Sequence, residues 1–397
     1  MKTTTTTTTT TTRATGAAAQ QPEWSDPEAL EEVRRELRSR PPLVTEEECA
    51  TLAESLERVA RGEAFVLQGG DCAERFREAN AEETGRKVDQ LHSLSGRLRA
   101  GSGAGVVAIG RMAGQYGKPR SESWESAPGG GVIPTYRGDA VNGPAAEPGA
   151  RFADPTRLLR AYDCAGRVLA AVRASWEGRE AAERVHVSHE ALLLDYEYPL
   201  ARDGATGRYA SSAHSVWIGD RTRSVDGPHV AFASSVANPV GVKIGPSIGP
   251  AEAVHLSTLL NPGAIPGHLT FIVRMGSARI RRLLPELVGE VARRGTPVVW
   301  VCDPMHGNTM RMGTGVKTRP MEAILEETTA FVRILRSLRE HPGGLHLEMT
   351  PQDVTECVSA PRPFSAPPPL SRYRTACDPR LNAEQACEVV ERFAGML

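Results

Sequence analysis

The chain has 397 residues, 40% of them apolar, and its 47 Lys and Arg nearly cancel 48 Asp and Glu, leaving a formal net charge of -1. That balance supplies no global field to draw the chain to nucleic acid or an anionic membrane, so its cations must be explained locally. No apolar run approaches the roughly 18 to 20 residues that span a bilayer, and the N-terminus lacks the basic and apolar blocks of a secretory signal; a cytoplasmic protein is expected.

Residues 1–22 begin with a ten-threonine run followed by an Ala-rich stretch. This composition offers too little apolar surface to offset the entropy of ordering, and a disordered tail is expected. Residues 23–62 read as a helical extension, with helices over Pro27–Arg40 and Thr45–Arg61 opened by Ser25 and by Thr45 with Glu48 three positions on. Residues 63–397 read as one catalytic domain in which short β-branched runs alternate with helical stretches, the pattern of parallel strands covered on both faces. The eight predicted strands are Ala64–Gln68, Gly105–Gly110, Val185–Ser188, Ser215–Gly219, Pro239–Ile244, Leu269–Arg274, Val298–Cys302 and Leu345–Met349. Eight alternations fit an α/β chain closed as a (β/α)8 TIM barrel better than an open doubly wound sheet, and no G-x-G-x-x-G follows a strand. The seven cysteines are odd in number and lack zinc-ribbon spacing, which argues for mostly reduced thiols.

Nearly every predicted strand leads to a polar group able to do chemistry. These are Asp71 and Cys72, Arg111, Asp220 and Arg221, Lys243, Arg274, Asp303 and His306, and Glu348. In a TIM barrel such ends converge on one mouth. Arg111, Arg221, Lys243 and Arg274 gathered there would repel one another unless they bind phosphate and carboxylate groups. Two further clusters, Lys118-Pro-Arg120-Ser121 and Lys317-Thr-Arg319, read singly as solvated loops and together as a site for a second anionic substrate. Cys72, His306, Glu348 and Asp378 offer one thiolate, one imidazole and two carboxylates, a donor set suited to a first-row divalent ion. Each also reads as an ordinary buried or solvated residue, and no local H-E-x-x-H spacing joins them.

Nine ordered motifs carry a resemblance. They are Gly69–Glu74 (GGDCAE), Gly110–Ser121 (GRMAGQYGKPRS), Tyr136–Asp139 (YRGD), Ser188–Leu192 (SHEAL), Asn238–Pro246 (NPVGVKIGP), Arg274–Gly276 (RMG), Cys302–Asn308 (CDPMHGN), Val354–Cys357 (VTEC) and Cys377–Asn382 (CDPRLN). From about residue 24 onward the chain resembles the type II 3-deoxy-D-arabino-heptulosonate 7-phosphate (DAHP) synthases. The resemblance implies a TIM-barrel transferase that joins phosphoenolpyruvate to erythrose 4-phosphate with release of phosphate, opening the shikimate pathway. It implies Cys72, His306, Glu348 and Asp378 as ligands of a divalent metal, manganese first, with cobalt, iron or zinc as alternatives. Arg111, Lys243 and Arg274, beside Asp220 and Arg221, correspond to phosphoenolpyruvate anchors; Lys118, Arg120 and Ser121, with Lys317, correspond to the sugar-phosphate side. Lys243, or a water ordered near Asp220, is the expected manager of the proton, with Arg111 completing the catalytic set.

Two departures stand out. Asp220 occupies a place where the family has Glu, one methylene longer. Between Tyr162 and Ser188 a single helix is expected, where longer members carry an added helical pair tied to feedback inhibition by aromatic amino acids. The short form resembles members serving secondary metabolism. The family further implies a homo-oligomer, dimer or tetramer, and a chorismate mutase as a partner. Two other readings are an aminoDAHP synthase using a nitrogen-bearing aldehyde and a non-catalytic activator of chorismate mutase, which would need none of the ligands retained here. Cys72 and Cys377 are expected to approach each other at the mouth, as a reduced ligand beside a bystander thiol or as a reversible disulfide.

Overall fold

The computed structural model describes residues 17–313, 315–358 and 372–397. Most of the expected tail, residues 1–16, lies outside them. Of its remainder, Gln20 accepts a hydrogen bond from the Arg120 backbone at 2.9 Å, and Gln21 donates to Leu192 O at 2.7 Å and accepts from Leu194 N at 3.1 Å.

The eight parallel strands are β1 (Ala64–Gly70), β2 (Gly105–Arg111), β3 (His186–Glu190), β4 (Ser215–Ile218), β5 (Val240–Ile244), β6 (Leu269–Val273), β7 (Val299–Cys302) and β8 (Pro342–Glu348). They close into a barrel in the order β1-β8-β7-β6-β5-β4-β3-β2. Every strand expected from sequence is present; the larger boundary shifts are at β1, which continues to Gly70, at β3, which continues to Glu190, and at β8, which starts at Pro342, and the rest differ by one residue at an end. The closing pair runs from Val66 opposite Gly344 to Gly70 opposite Glu348. Strand sequences such as Ala64–Gly70 are buried along their whole length because both faces of a barrel strand are covered.

Two helices precede the barrel, α1 (Pro27–Ser39) and α2 (Glu46–Ala60). The N-cap of α1 is Asp26, whose carboxylate accepts from Ala29 N at 2.9 Å; Ser25 instead spends its backbone N–H on Ala153 O at 3.0 Å. A carboxylate at the cap also meets the positive end of the helix dipole. Thr45 and Glu48 form the expected reciprocal capping box on α2. Leu52, Leu56 and Val59 then recur on one face of α2 and pack with Ala64, Val66, Val107, Ile109, Val299 and Val301, so α2 plugs the lower end of the barrel. Full burial of each such leucine contributes roughly 1.5–3 kcal/mol.

A helix packs behind each strand: α3 (Ala81–Ser102), α4 (Arg157–Ala174), α5 (Leu194–Leu200), α6 (Pro228–Ala233), α7 (Pro250–Leu260), α8 (Ser277–Arg294), α9 (Met321–Ser337) and α10 (Ala383–Ala394), with a further single turn at Pro148–Arg151 ahead of α4. Helix α10 closes the ring between α3 and α9, with Phe393 edge-on to Phe65 at 5.9 Å. No helix of the described residues is long and apolar enough to cross a membrane. The plug leaves one open end, to which all eight strands deliver their C-termini.

Candidate active site

Inside the barrel, below the mouth, a polar layer replaces the apolar one. Gln68 on β1 donates to Ser188 Oγ at 2.7 Å and accepts from the His346 ring at 2.7 Å. His346 meets the Trp217 ring edge-on at 5.2 Å and contacts Arg111 through its other nitrogen. Trp217 forms a floor, with the Arg111 guanidinium 5.1 Å and the Lys243 ammonium 5.8 Å from its ring centroid, a placement that the negative ring face favours.

Above this layer the metal-type donors converge. His306, Glu348 and Asp378 each bring one ligand atom within 4.8 Å of the others. His306 Nδ1 lies 2.7 Å from the Asp303 carboxylate, which turns Nε2 toward Glu348 Oε1 at 3.0 Å. A carboxylate behind the imidazole is the usual support for a metal-binding histidine. Cys72 is adjacent, accepting from Asp378 N at 3.3 Å.

Burial and neighbouring charges shift the protonation of each donor. Cys72 and Cys377 are free thiols, and a side-chain hydrogen bond between them lowers the Cys72 thiol to about 7 against the opposing effect of burial, with help from Lys118. Burial holds His306 toward its neutral form despite Asp303. Burial would raise Glu348, yet His306, Lys118 and Arg319 bring it well below the ordinary carboxylate range; Asp378 is lowered against burial chiefly by Lys118. Thiolate, neutral imidazole and two carboxylates are the protonation states that ligation requires.

The mouth is a cavity of about 920 Å³ lined by Lys118, Arg120, Ser121, Asp220, Arg221, Lys243, Arg274, Lys317 and, at the donor cluster, His306, Cys377 and Asp378. Lys118 Nζ stands 2.8 Å from Asp378 and 3.3 Å from Glu348, and Lys317 Nζ lies 2.7 Å from Asp378. Arg221 donates to Ser121 Oγ at 2.7 Å, joining the two loops expected to face an anion. Burial pulls Lys243 down to about 8 although Asp303 lies 2.9 Å away. Asp220 is engaged on both oxygens: Arg274 reaches it at 2.6 Å, Arg223 at 3.1 Å and Gly245 N at 3.1 Å. Arg111, Cys72 and Glu348 are not among the lining residues; Arg111 is buried, donating to Asp71 O at 3.2 Å and Glu348 at 3.1 Å. Arg319 does not belong to a surface cluster with Lys317, because it is fully buried on the far oxygen of Glu348 at 2.7 Å.

Glu190 has no place among the expected site residues, yet it lines the cavity. Its Oε1 is shielded from solvent and has no protein hydrogen-bond partner, and burial raises its pKa although Lys243, Lys118 and Arg111 oppose. The rule that strand ends carry the chemistry would have found it had β3 been drawn to its true end. His346 and Gln68 carry no such signal, since they sit within strands and meet only when the barrel closes.

Comparison with known proteins gives concordant results. The model of the class-II DAHP synthetase family matches residues 8–186 and 177–394. A phospho-2-dehydro-3-deoxyheptonate aldolase of Streptomyces coelicolor is 43% identical over 428 residues, covering 96% of this chain and 95% of that protein. The phospho-2-dehydro-3-deoxyheptonate aldolase AroG of Mycolicibacterium smegmatis is 39% identical over 434 residues, covering 96% and 92%. The structure of a phospho-2-dehydro-3-deoxyheptonate aldolase from Francisella tularensis superposes with a TM-score of 0.55 at 12% identity over 96% of this chain and 98% of that one, a likeness of fold alone.

Proposed function

The chain belongs to the class-II DAHP synthetase family, and from that membership we propose how the barrel mouth divides the work of the reaction. The reaction is that of a DAHP synthase: the methylene carbon of phosphoenolpyruvate bonds to the aldehyde carbon of erythrose 4-phosphate, water adds at C2, and phosphate leaves. A divalent metal held by Cys72, His306, Glu348 and Asp378, manganese first with cobalt, iron or zinc as alternatives, supplies Lewis-acid polarisation of the aldehyde when bound. The observation that carries this assignment is that His306, Glu348 and Asp378 each bring a ligand atom within 4.8 Å of the others, with the Cys72 thiol against Asp378 N, beside one cation-lined cavity.

Lys243 and Arg274 enter the cavity from adjoining strands and anchor phosphoenolpyruvate, with Arg111 behind them; holding the enol at near-attack distance converts a bimolecular step into a local one. Arg120, Ser121, Arg221 and Lys317 hold the sugar phosphate, and Lys118 spans the two sides. Asp220 acts through Arg274, fixing its fork rather than touching the reacting atoms. Glu190, with its uncommitted oxygen, exchanges a proton with the water that adds at C2, and Lys243, poised near neutrality, shares that duty.

One helix and a short turn occupy the stretch before β3, which supports placing this chain among unregulated, secondary-metabolism forms. Cytoplasmic location, self-association as a dimer or tetramer and a chorismate mutase partner complete the reading. The test measures phosphate release and loss of phosphoenolpyruvate absorbance with erythrose 4-phosphate and manganese, with and without prior chelation. Turnover abolished by chelator, restored by metal and indifferent to phenylalanine, tyrosine and tryptophan is expected; absence of turnover with every divalent metal tried would sink the assignment.

A further inference from the structure

Four charged side chains that do not line the cavity form a chain beneath it, Asp71, Glu356 and Arg380 buried and Lys87 nearly so. Asp71, the residue before Cys72, lies 2.6 Å from Lys87 on α3 and 2.6 Å from Arg380, two residues after Asp378. Arg380 also pairs with Glu356 at 2.9 Å. The Glu356 carboxylate is committed to the backbone as well, accepting from Arg374 N at 3.1 Å and from Arg380 N at 2.7 Å. It therefore grips both ends of the segment that carries Cys377 and Asp378. Leu381 N donates to Glu348 O at 2.9 Å, joining that segment to β8. Two cations and two anions leave the group neutral.

Buried ion pairs are poor contributors to stability, and apolar side chains of equal volume would often serve the fold as well. What apolar groups cannot supply is direction. The donors come from segments far apart in sequence, Cys72 after β1 and Asp378 after the last strand; Cys72 Sγ meets the second segment directly, at Thr375 Oγ1 at 3.2 Å and Asp378 N at 3.3 Å, and the charged chain braces the same two segments from behind.

We propose that Lys87, Asp71, Arg380 and Glu356 are positioning residues that set the separation of Cys72 and Asp378, so that their loss weakens metal binding while leaving phosphoenolpyruvate binding intact. This rests on the metal assignment above. Outer partners of metal ligands commonly govern affinity by about 10–100-fold.

The experiment measures manganese affinity by calorimetry and by the loss of the free-ion electron paramagnetic resonance signal, together with the melting temperature and the KM for phosphoenolpyruvate, in the full-length chain. Glu356→Gln is expected to bind manganese at least about tenfold more weakly with an unchanged KM. Arg380→Lys keeps the charge but loses the fork, and is expected to fall between. The double variant Glu356→Gln with Arg380→Met removes the guanidinium left without its carboxylate, keeps an amide oxygen for the backbone N–H groups and leaves Asp71 paired with Lys87; it is expected to regain melting temperature over Glu356→Gln without regaining affinity. Parent-like affinity in Glu356→Gln, or affinity recovered along with stability in the double variant, overturns the proposal. If Glu356→Gln does not fold, Arg380→Lys and the double variant decide. Failure of the parent chain itself to bind manganese would overturn the metal assignment instead.

Discussion

A carboxylate that lines a cationic cavity while one of its oxygens, shielded from solvent, has no protein hydrogen-bond partner is an unusual residue-scale feature, since a lone polar atom shielded from water is costly unless something else uses it. Glu190 meets that description through Oε1. Glu190→Gln keeps the volume and removes the titrating group, and kcat is expected to fall by about 10²–10⁴ with little change in the KM for phosphoenolpyruvate. Steady-state kinetics checks this, with near-ultraviolet circular dichroism to confirm that packing is retained. The neighbouring Gly219 tests the same group by crowding: a Cβ there would lie 2.1 Å from Glu190 Oε1. Gly219→Ala should displace the carboxylate and lower kcat in the same direction; parent-like kcat in both variants would remove Glu190 from the chemistry.

Among the elements, the seam between β1 and β8 and the loops after β6 and β7 are tight joints. Gly344 has φ +146, and a Cβ on it would stand 2.0 Å from Val66 O across the closing pair. Gly344→Ala must both strain the backbone and push the seam apart, with an expected loss of about 3 kcal/mol or more, read as a lower urea midpoint. On α9, Glu327 accepts from Gly276 N at 2.7 Å and from Asn308 Nδ2 at 2.7 Å, tying the loop beyond Arg274 to the loop holding His306. Burial raises this carboxyl to about 8, so it is largely protonated near neutral pH. Glu327→Ala is expected to cost about 1–3 kcal/mol and to raise the KM for phosphoenolpyruvate through Arg274, whereas Glu327→Gln, which keeps one acceptor oxygen but sets its Nε2 against a second donor, should lose less in both. An unchanged KM in Glu327→Ala would show that the tie does not reach Arg274.

Across the whole molecule, acid sensitivity follows from buried histidines. His186 and His214 stack edge to face at 5.1 Å below the mouth. Burial, then the like charge of its neighbour, takes His186 down to about 3, and burial lowers His214 although Glu48 opposes. Both titrate near 6.5 in an unfolded chain. The folded state therefore binds fewer protons than the unfolded state as pH falls below about 6.5, and stability present above that pH is lost toward about 3 for His186. Glu48, held down against burial by Arg173, contributes in the same direction at lower pH, while Glu327 runs the other way between its ordinary value and about 8. Urea midpoints are expected to drop between pH 7 and pH 5, with a shallower slope in His186→Gln; an unaltered slope would show that His186 titrates normally in the folded chain.

Patterns of period and punctuation are local, and they determine much of this protein before it folds. The eight strands, the Thr45–Glu48 box, and the strand ends at Cys72, Lys243, Arg274, His306 and Glu348 are readable because neighbours in sequence create them. Distances across the barrel are different, since closure alone decides them. Only tertiary structure joins Gln68 to His346, hides Arg111 and Arg319 behind Glu348, commits Asp220 to Arg274, and links Asp71 to Arg380 across 309 positions of chain. The physical reason is that a side chain's type is written in one residue, whereas its partner, its desolvation and hence its charge state are set by residues from the other end of the chain.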